Sequence, residues 1–485
     1  MDRDFVIGEV SPRLCGSFVE HLGRVVYTGI YEPGHPRADS WGFREDVRDL
    51  VGELGVTTVR YPGGNFVSAY NWKDGIGPRE NRVRRLDTAW RTVETNEFGL
   101  DEFMRWCEVS RVEPFLVFNL GTQGVESACE LVEYCNGLGG SALADLRRSY
   151  GRQSPYGVRL WGLGNEMDGD WQIGSRSASE YASLASQVAR AVKRVDDSIE
   201  LVAAGSSKRG MARFPEWDRV VLEQTYEHVD YLALHQYYPA DEVDEASYAA
   251  SGSDFEAYIG AGIATCDHVK ELKRSKRRMH LSLDEWNVNY RHEAEERVPW
   301  RVAPAMAEYR YNNKDAVVFG SLLIPLIRHA DRVKVACQSL LVNVGGAIRT
   351  EVGGEARRQA IFGIMAAVFE AVRGGTVLGS SIESPEVATV AYGDVPAIDA
   401  VAVSREHHGK VAMFVVNRST TEAADLDIVW RGWDAVDAST AKTLQGSEEL
   451  GNGALHPLEV HVAGKDMATL RMGPLSWAVV EVEVT

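Results

Sequence analysis

The sequence lacks the short motifs that define several common enzyme classes. It has no P-loop, no Gly-x-Ser-x-Gly elbow and no His-Glu-x-x-His pair. Its Gly162-x-Gly164 segment has no third glycine and is followed by an acid, which a dinucleotide site would not place there. No EF-hand loop and no cluster of His and Cys ligands is present. We therefore predict neither a cofactor nor a metal site.

Long hydrophobic runs and positive charge are also scarce. The longest apolar run, residues 316–327, contains Pro325 and is shorter than the roughly 20 residues that a membrane helix needs. The first residues show no basic segment followed by an apolar one, so we expect no signal peptide. With 52 Lys and Arg against 70 Asp and Glu, the net charge of −18 would be repelled by phosphate backbones. Neither a membrane nor a nucleic acid is an expected partner.

Cysteine is sparse, with six residues in a chain of 485 and no Cys-x-x-Cys spacing. Such cysteines are typical of reduced core thiols, which indicates a cytoplasmic protein. The length suits a barrel of about 250 residues or more together with a second domain.

Short β-rich runs alternate with amphipathic helical segments through most of the chain. Helical segments such as 42–54, 99–107, 125–136 and 177–195 separate the strands, and the last begins with a capping-box pattern at Ser177 and Glu180. Eight strand–helix units predict an α/β fold, the (β/α)8 TIM barrel. The predicted strands are 13–18, 57–61, 113–119, 158–162, 200–204, 231–235, 280–284 and 333–337.

After a last barrel helix at about 356–372, the pattern changes to short alternating strands. Residues 400–403, 410–417, 426–430, 468–472 and 476–484 alternate apolar and polar side chains. Such strands predict a jelly-roll-like β-sandwich. We therefore divide the chain into an N-terminal strand that joins the sandwich (1–12), the (β/α)8 barrel (13–372) and the C-terminal sandwich (373–485).

Two glutamates follow the apolar cores of predicted strands. Glu166 ends Trp161-Gly-Leu-Gly-Asn-Glu on the fourth strand, and Glu285 ends His280-Leu-Ser-Leu-Asp-Glu on the seventh. A lone Glu in this position is most often a helix-start charge or a salt-bridge partner. Strands four and seven, however, face each other across a barrel mouth, where barrel enzymes carry their chemistry. A pair of carboxyls there predicts glycoside hydrolysis, with one protonated acid and one ionised carboxylate.

Other polar and aromatic residues collect at the same strand ends. Asn119 ends the third strand, and His235 with Tyr237 ends the sixth. His235 could instead be a core histidine with satisfied hydrogen bonds, but its position beside Tyr237 favours a role in substrate binding. Trp90 lies in the long loop after the second strand, where a ring either stacks on sugar or packs in the core.

Seven segments carry a resemblance that covers nearly the whole chain. They include Gly164-Asn-Glu-Met-Asp-Gly169 and Asp284-Glu-Trp-Asn287. In these segments the chain resembles the intracellular alpha-L-arabinofuranosidases of glycoside hydrolase family 51. The matching segments are residues 16–23, 27–36, 60–67, 85–90, 164–169, 234–238 and 284–287.

The resemblance implies a retaining, exo-acting enzyme that releases terminal non-reducing α-L-arabinofuranosyl residues from arabino-oligosaccharides. Glu166 corresponds to the acid/base and Glu285 to the nucleophile, in agreement with the prediction from the strands. Arg60 would stand beside the nucleophile and keep it ionised. The resemblance also implies a homo-oligomer, since members of the family tend to form hexamers.

The remaining correspondences concern the sugar. Glu20, Asn65 and Asn165 match positions that bind furanose hydroxyls in the family. Tyr237 matches a residue that contacts the nucleophile and the sugar ring, and Trp90 matches a wall near the leaving group. We expect these residues to bind substrate.

Three positions depart from the family pattern. Leu340 stands where a Gln is expected, with Gln338 two residues earlier, Asn289 replaces an aromatic, and Gln123 replaces an Arg. The loss of an amide and a ring alters the contacts to sugar and leaves the carboxyl pair intact. A galactofuranosidase or a β-xylosidase therefore stays an alternative, and a carbohydrate-binding protein without catalysis is a further one.

Overall fold

The computed structural model describes residues 1–290, 298–405, 408–433, 436–446 and 453–485. Eight parallel strands close into a barrel in which each strand pairs with its neighbours in chain order. The predicted (β/α)8 fold class is thereby confirmed. The barrel strands are Gly16–Phe18, Thr58–Tyr61, Glu113–Phe118, Leu160–Leu163, Glu200–Ala203, Tyr231–Pro239, His280–Asn289 and Val333–Gln338.

Helices surround this barrel. The capping box predicted at Ser177 and Glu180 is present, because the backbone N–H of each residue donates a hydrogen bond to the side-chain oxygen of the other. The first helix begins later than predicted, at Glu45, because residues before it form bridges with the preceding loop. The helices are Glu45–Leu54, Leu100–Ser110, Val125–Asn136, Ala142–Ser149, Ala178–Val195, Glu216–Thr225, Glu245–Ala249, Ser251–Lys273, Asn313–Arg328 and Ile361–Val372.

The sixth and seventh strands are longer than predicted. We expected them to end at residues 235 and 284, but they remain paired as far as Pro239 and Asn289. The register shifts between Ser282 and Glu285, and Trp286 still pairs with Gln338 of the eighth barrel strand. Beyond Trp286 the sixth and seventh strands continue as a two-stranded extension. Glu285 and Tyr237 therefore project from regular strand rather than from loops that follow it.

A cluster of charged groups closes the opposite, N-terminal end of the barrel. Arg13, in the short helix Pro12–Leu14, donates to Glu113 at 2.6 and 2.8 Å and to Glu200 at 2.7 Å. Tyr231 donates to the same Glu200 at 2.5 Å. These acids begin the third and fifth barrel strands, so one guanidinium connects the two strands that flank the fourth.

Replacement of Arg13 with Met should destabilise the protein without altering the chemistry at the other end of the barrel. Charge-assisted hydrogen bonds contribute about 1.5–3 kcal/mol, and two half-buried carboxylates would lose their partner. We expect a lower midpoint of chemical denaturation with kcat unchanged. Arg37→Met, which removes an exposed pair with Asp49, is the matched control and should not move the midpoint. Equal midpoints for both variants would contradict a structural role for Arg13.

The C-terminal part forms two antiparallel sheets, as expected of a β-sandwich. A three-stranded sheet consists of Ala424–Val429, Met467–Met472 and Val460–Ala463. The seven-stranded sheet includes Val6–Glu9, which pairs with Thr376–Leu378. Its order is Val6–Glu9, Thr376–Leu378, Ile398–Arg405, Lys410–Asn417, Ser476–Val484, Val436–Gln445 and His456–Leu458.

The seven-stranded sheet packs on both faces. Met413 and Val480 face the three-stranded sheet together with Trp430, whereas Phe414 and Trp477 belong to the hydrophobic core that continues into the barrel. Alternate residues of one strand therefore pack into two different hydrophobic cores. The division at residues 12 and 372 stays our proposal for the domain boundaries.

In the ranges described, no helix combines the length and the apolar character needed to cross a membrane. The six cysteines are free thiols, and all except the half-buried Cys129 are buried.

Candidate active site

The two predicted carboxyls lie together at the C-terminal end of the barrel. Oxygen atoms of Glu166 and Glu285 and a ring nitrogen of His235 lie within 4.8 Å of one another. Both glutamates are nearly enclosed, with 9% and 6% of their surface exposed. The barrel thus brings two sequence-distant acids to one small, nearly enclosed volume, in which charges interact strongly.

Glu285 is held by two donors. Arg60 donates to one carboxylate oxygen at 2.6 Å, and Tyr237 donates to the other at 2.9 Å. Arg60 also donates to the side-chain oxygen of Asn165 at 2.7 Å and pairs with Asp284 at 3.1 Å. Burial alone would lower the pKa of Arg60, but these acids outweigh it and keep the pKa raised. A permanent positive charge therefore lies directly against the Glu285 carboxyl.

Glu166 is held in an unusual backbone conformation. Its φ is 44°, in the left-handed region that costs a non-glycine residue about 1 kcal/mol or more. Trp171 donates its indole N–H to one carboxylate oxygen at 2.7 Å, and the Nδ1 atom of His235 lies 3.0 Å from the other. These two contacts fix the direction in which the carboxyl points.

His235 lies among three acids. Besides Glu166, it faces Asp284 at 3.6 Å and Glu285 at 3.8 Å. Burial lowers the pKa of the imidazole, but Glu285, Asp284 and Glu166 more than compensate and raise it to about 10. His235 is therefore an imidazolium at neutral pH, with both ring nitrogens as donors.

Glu20 is a third acid beside this pair. One of its oxygens accepts hydrogen bonds from the Phe66 backbone and the Trp90 indole, each at 2.9 Å. Burial, together with the charge of Glu285, raises the pKa of Glu20 to about 8. The backbone of Gly64 lies against both acids, because a Cβ atom at this residue would be 2.8 Å from Oε1 of Glu285 and 3.3 Å from Oε2 of Glu20. Glu20 thus carries a proton at neutral pH and can donate to a hydroxyl.

Of the other predicted residues, the structure brings Asn165 and Asn65 to the site but directs Asn119 elsewhere. Asn165 donates to Asn65 at 3.3 Å. The amide of Asn119 donates to the Tyr70 carbonyl and to Thr122, and its oxygen accepts from the following loop. These bonds order the loop after the third strand, so substrate contact by Asn119 stays a prediction.

Sequence reasoning missed three residues that complete the site. Asp284 shares Arg60 with Glu285, and Ser339 lies 2.6 Å from the Tyr237 hydroxyl. We predicted no role at the site for Trp171, yet its indole N–H donates a hydrogen bond directly to Glu166. One signal was available for Asp284, because an Arg buried within a strand requires acidic partners.

The three departures from the family pattern have different surroundings. Leu340 is 4% exposed and packs in the barrel core, next to Ser339. Gln338 uses its amide on Ser17 and on the Gly345 carbonyl, so it is not available in place of the missing Gln. The Oδ1 atom of Asn289 is buried and has no hydrogen-bond partner in the described ranges. Gln123 accepts from Ser127. Their effect on the choice of sugar stays a prediction.

A barrel with facing carboxyls at its fourth and seventh strands defines a glycoside hydrolase, and sequence comparison gives the family. Residues 50–253 match the "Alpha-L-arabinofuranosidase 1 domain" and residues 284–481 the "Alpha-L-arabinofuranosidase C-terminal domain". The chain belongs to the family 51 alpha-L-arabinofuranosidases.

Full-length relatives support this assignment. The intracellular exo-alpha-(1->5)-L-arabinofuranosidase 1 of Bacillus subtilis is 46% identical over 100% of this chain and 98% of its own length. The exo-alpha-(1->6)-L-arabinofuranosidase of Bifidobacterium longum is 44% identical over 100% and 96%. Among solved structures, the family 51 alpha-L-arabinofuranosidase AbfB of Bifidobacterium longum superposes with a TM-score of 0.92 at 41% identity, covering 99% and 98% of the two chains.

Proposed function

We propose that this protein is a retaining, exo-acting alpha-L-arabinofuranosidase that removes terminal non-reducing arabinofuranosyl residues from arabino-oligosaccharides. The observation that carries this proposal is the approach of the Glu166 and Glu285 oxygens to within 4.8 Å. Retaining glycosidases have carboxyls about 5–5.5 Å apart, whereas inverting enzymes need about 6.5–9.5 Å to admit a water. Relatives named as exo-acting arabinofuranosidases support the choice of sugar.

In the first step, Glu285 attacks the anomeric carbon. The bond from that carbon to the leaving oxygen breaks as Glu166 transfers its proton to the same oxygen. The products are the free alcohol and a covalent arabinofuranosyl ester of Glu285. Arg60 and Tyr237 orient the attacking carboxylate through the bonds described above.

In the second step, water attacks the anomeric carbon of the ester. Glu166 accepts one proton from the water, the ester bond breaks, and Glu285 is released as a carboxylate. The imidazolium of His235 lies against both acids and stabilises whichever of them is ionised. Two inversions leave the configuration of the sugar unchanged.

The other predicted residues have binding roles in this proposal. Protonated Glu20, with Asn165 and Asn65, would bind furanose hydroxyls, and Trp90 would form a wall of the site. Hydrogen bonds that shorten in the transition state would favour turnover over simple binding. We also propose that the protein is intracellular. We further propose that it forms a homo-oligomer, namely the hexamer expected of the family.

A panel of 4-nitrophenyl α-L-arabinofuranoside, β-D-galactofuranoside and β-D-xyloside tests the sugar, and 1,5- and 1,6-linked arabinobiose test the linkage. We expect arabinofuranoside hydrolysis with the highest kcat/KM, and proton NMR should show the α-anomer as the first product. Release of the β-anomer would contradict the retaining mechanism. A preference for the galactofuranoside or the xyloside would mean that Leu340 and Asn289 have changed the sugar specificity of the site.

Metal removal should leave activity unchanged. Glu166, His235 and Glu285 are residue types that bind metals, but a protonated imidazole offers no lone pair to an ion. We expect the same kcat/KM after dialysis against EDTA as before it. Activity that disappears with EDTA and returns with a divalent ion would show that this cluster is a metal site.

A further inference from the structure

Lys208 lies beside the acid that would protonate the leaving group. Its ammonium is 5.6 Å from the centre of the Trp171 ring, and the Trp171 indole N–H is bonded to Glu166. Together these contacts place the ammonium within roughly 10 Å of the Glu166 carboxyl, about one Debye length at 0.1 M salt. A leaving group must occupy this side of the site, since Glu166 has to reach its oxygen.

Trp171 forms a fixed surface at this position. Its ring is 45% exposed, although large aromatic side chains are usually buried. Gly169 lies directly against it, because a Cβ atom there would be 2.4 Å from the ring. With the indole held by Gly169 and Glu166, the ammonium of Lys208 is held over the ring by a cation–π contact.

The charge of Lys208 is not neutralised within the described part of the chain. No carboxylate there forms an ion pair with it, although the neighbouring Arg209 is paired with Asp254. Asp170 directly precedes Trp171 in the sequence, and its side chain is exposed. In a protein of net charge −18, a cation without an ion pair beside the acid/base points to an anionic ligand.

We propose that Trp171 and Lys208 form a leaving-group subsite that selects substrates whose leaving group carries a carboxylate, such as a uronic acid unit. The ring contacts the leaving group, and the ammonium pairs with its carboxylate. This inference rests on the proposed function and specifies its substrate class.

The test compares two aryl α-L-arabinofuranosides, one with a 4-carboxyphenyl and one with a 4-carbamoylphenyl leaving group. The measured quantity is the ratio of kcat/KM for the anionic substrate to that for the neutral one. Lys208→Gln should lower this ratio roughly three- to fivefold at low salt, as loss of a half-exposed ion pair does. The difference between wild type and variant should shrink in 0.5 M NaCl.

Two further variants separate a local effect from a general one. Lys276→Gln removes the same charge from the opposite end of the barrel and should leave the ratio unchanged. Asp170→Asn should raise the ratio, because it removes a negative charge beside Trp171. An unchanged ratio in Lys208→Gln, or an equal fall in Lys276→Gln, would overturn the proposal. If the wild type hydrolyses neither arabinofuranoside, the proposed function itself fails instead.

Discussion

Glu285→Gly should lower kcat on 4-nitrophenyl α-L-arabinofuranoside by about 10⁴-fold or more, because no other group can form the covalent intermediate. Glycine also opens a space beside the anomeric carbon. Azide should enter it and restore turnover, giving an arabinofuranosyl azide of inverted configuration. Initial rates with and without azide, and NMR of the product, measure both effects.

Glu97→Gly is the matched control for this variant, since Glu97 is exposed and lies outside the acidic cluster. It should retain the activity of the wild type. A Glu285→Gly protein that is folded by circular dichroism and keeps more than about 10% of wild-type activity would exclude Glu285 as the nucleophile.

Glu166→Ala should separate substrates by the acidity of their leaving groups. A sugar alcohol needs a proton to depart, so kcat/KM for arabinobiose should fall by about 10²–10⁴-fold. A 2,4-dinitrophenyl group departs without a proton, so the loss on that substrate should be much smaller. Parallel kinetics on the two substrates measure the difference.

A Trp171→Phe variant is the companion to Glu166→Ala. It keeps an aromatic ring but removes the N–H that donates to Glu166. The loss of kcat/KM should therefore again be larger for arabinobiose than for the 2,4-dinitrophenyl substrate, but both losses should be smaller than in Glu166→Ala. Equal losses on both substrates in Glu166→Ala would indicate that Glu166 binds sugar and does not transfer protons.

The sequence predicts the barrel and its carboxyl pair because both depend on regular features. The alternation of strands and helices fixes the strand count, and the count places Glu166 and Glu285 on opposite strands of one mouth. Arg60 and Tyr237 also lie on strands whose ends converge, but their contacts with Glu285 were expected from the family resemblance.

Contacts that depend on loop conformation could not be predicted in this way. Trp171 reaches Glu166 only because Glu166 adopts φ 44° and the chain then turns back on itself. Asn119 bonds its own loop, although it too follows a strand. The extension of the sixth and seventh strands to Pro239 and Asn289 depends on pairing beyond the barrel wall, which alternation within each strand does not reveal.

The pairing of Val6–Glu9 with Thr376–Leu378 has a consequence for biosynthesis. At the usual rate of translation, a ribosome needs tens of seconds to supply the second partner after the first has emerged. The first strand must wait unpaired while the barrel residues are made. Until it docks, Thr376–Leu378 has an open edge on which another nascent chain could add a strand. Docking of the first strand is therefore a step of maturation that is exposed to aggregation, and deletion of residues 1–10 would make that exposure permanent.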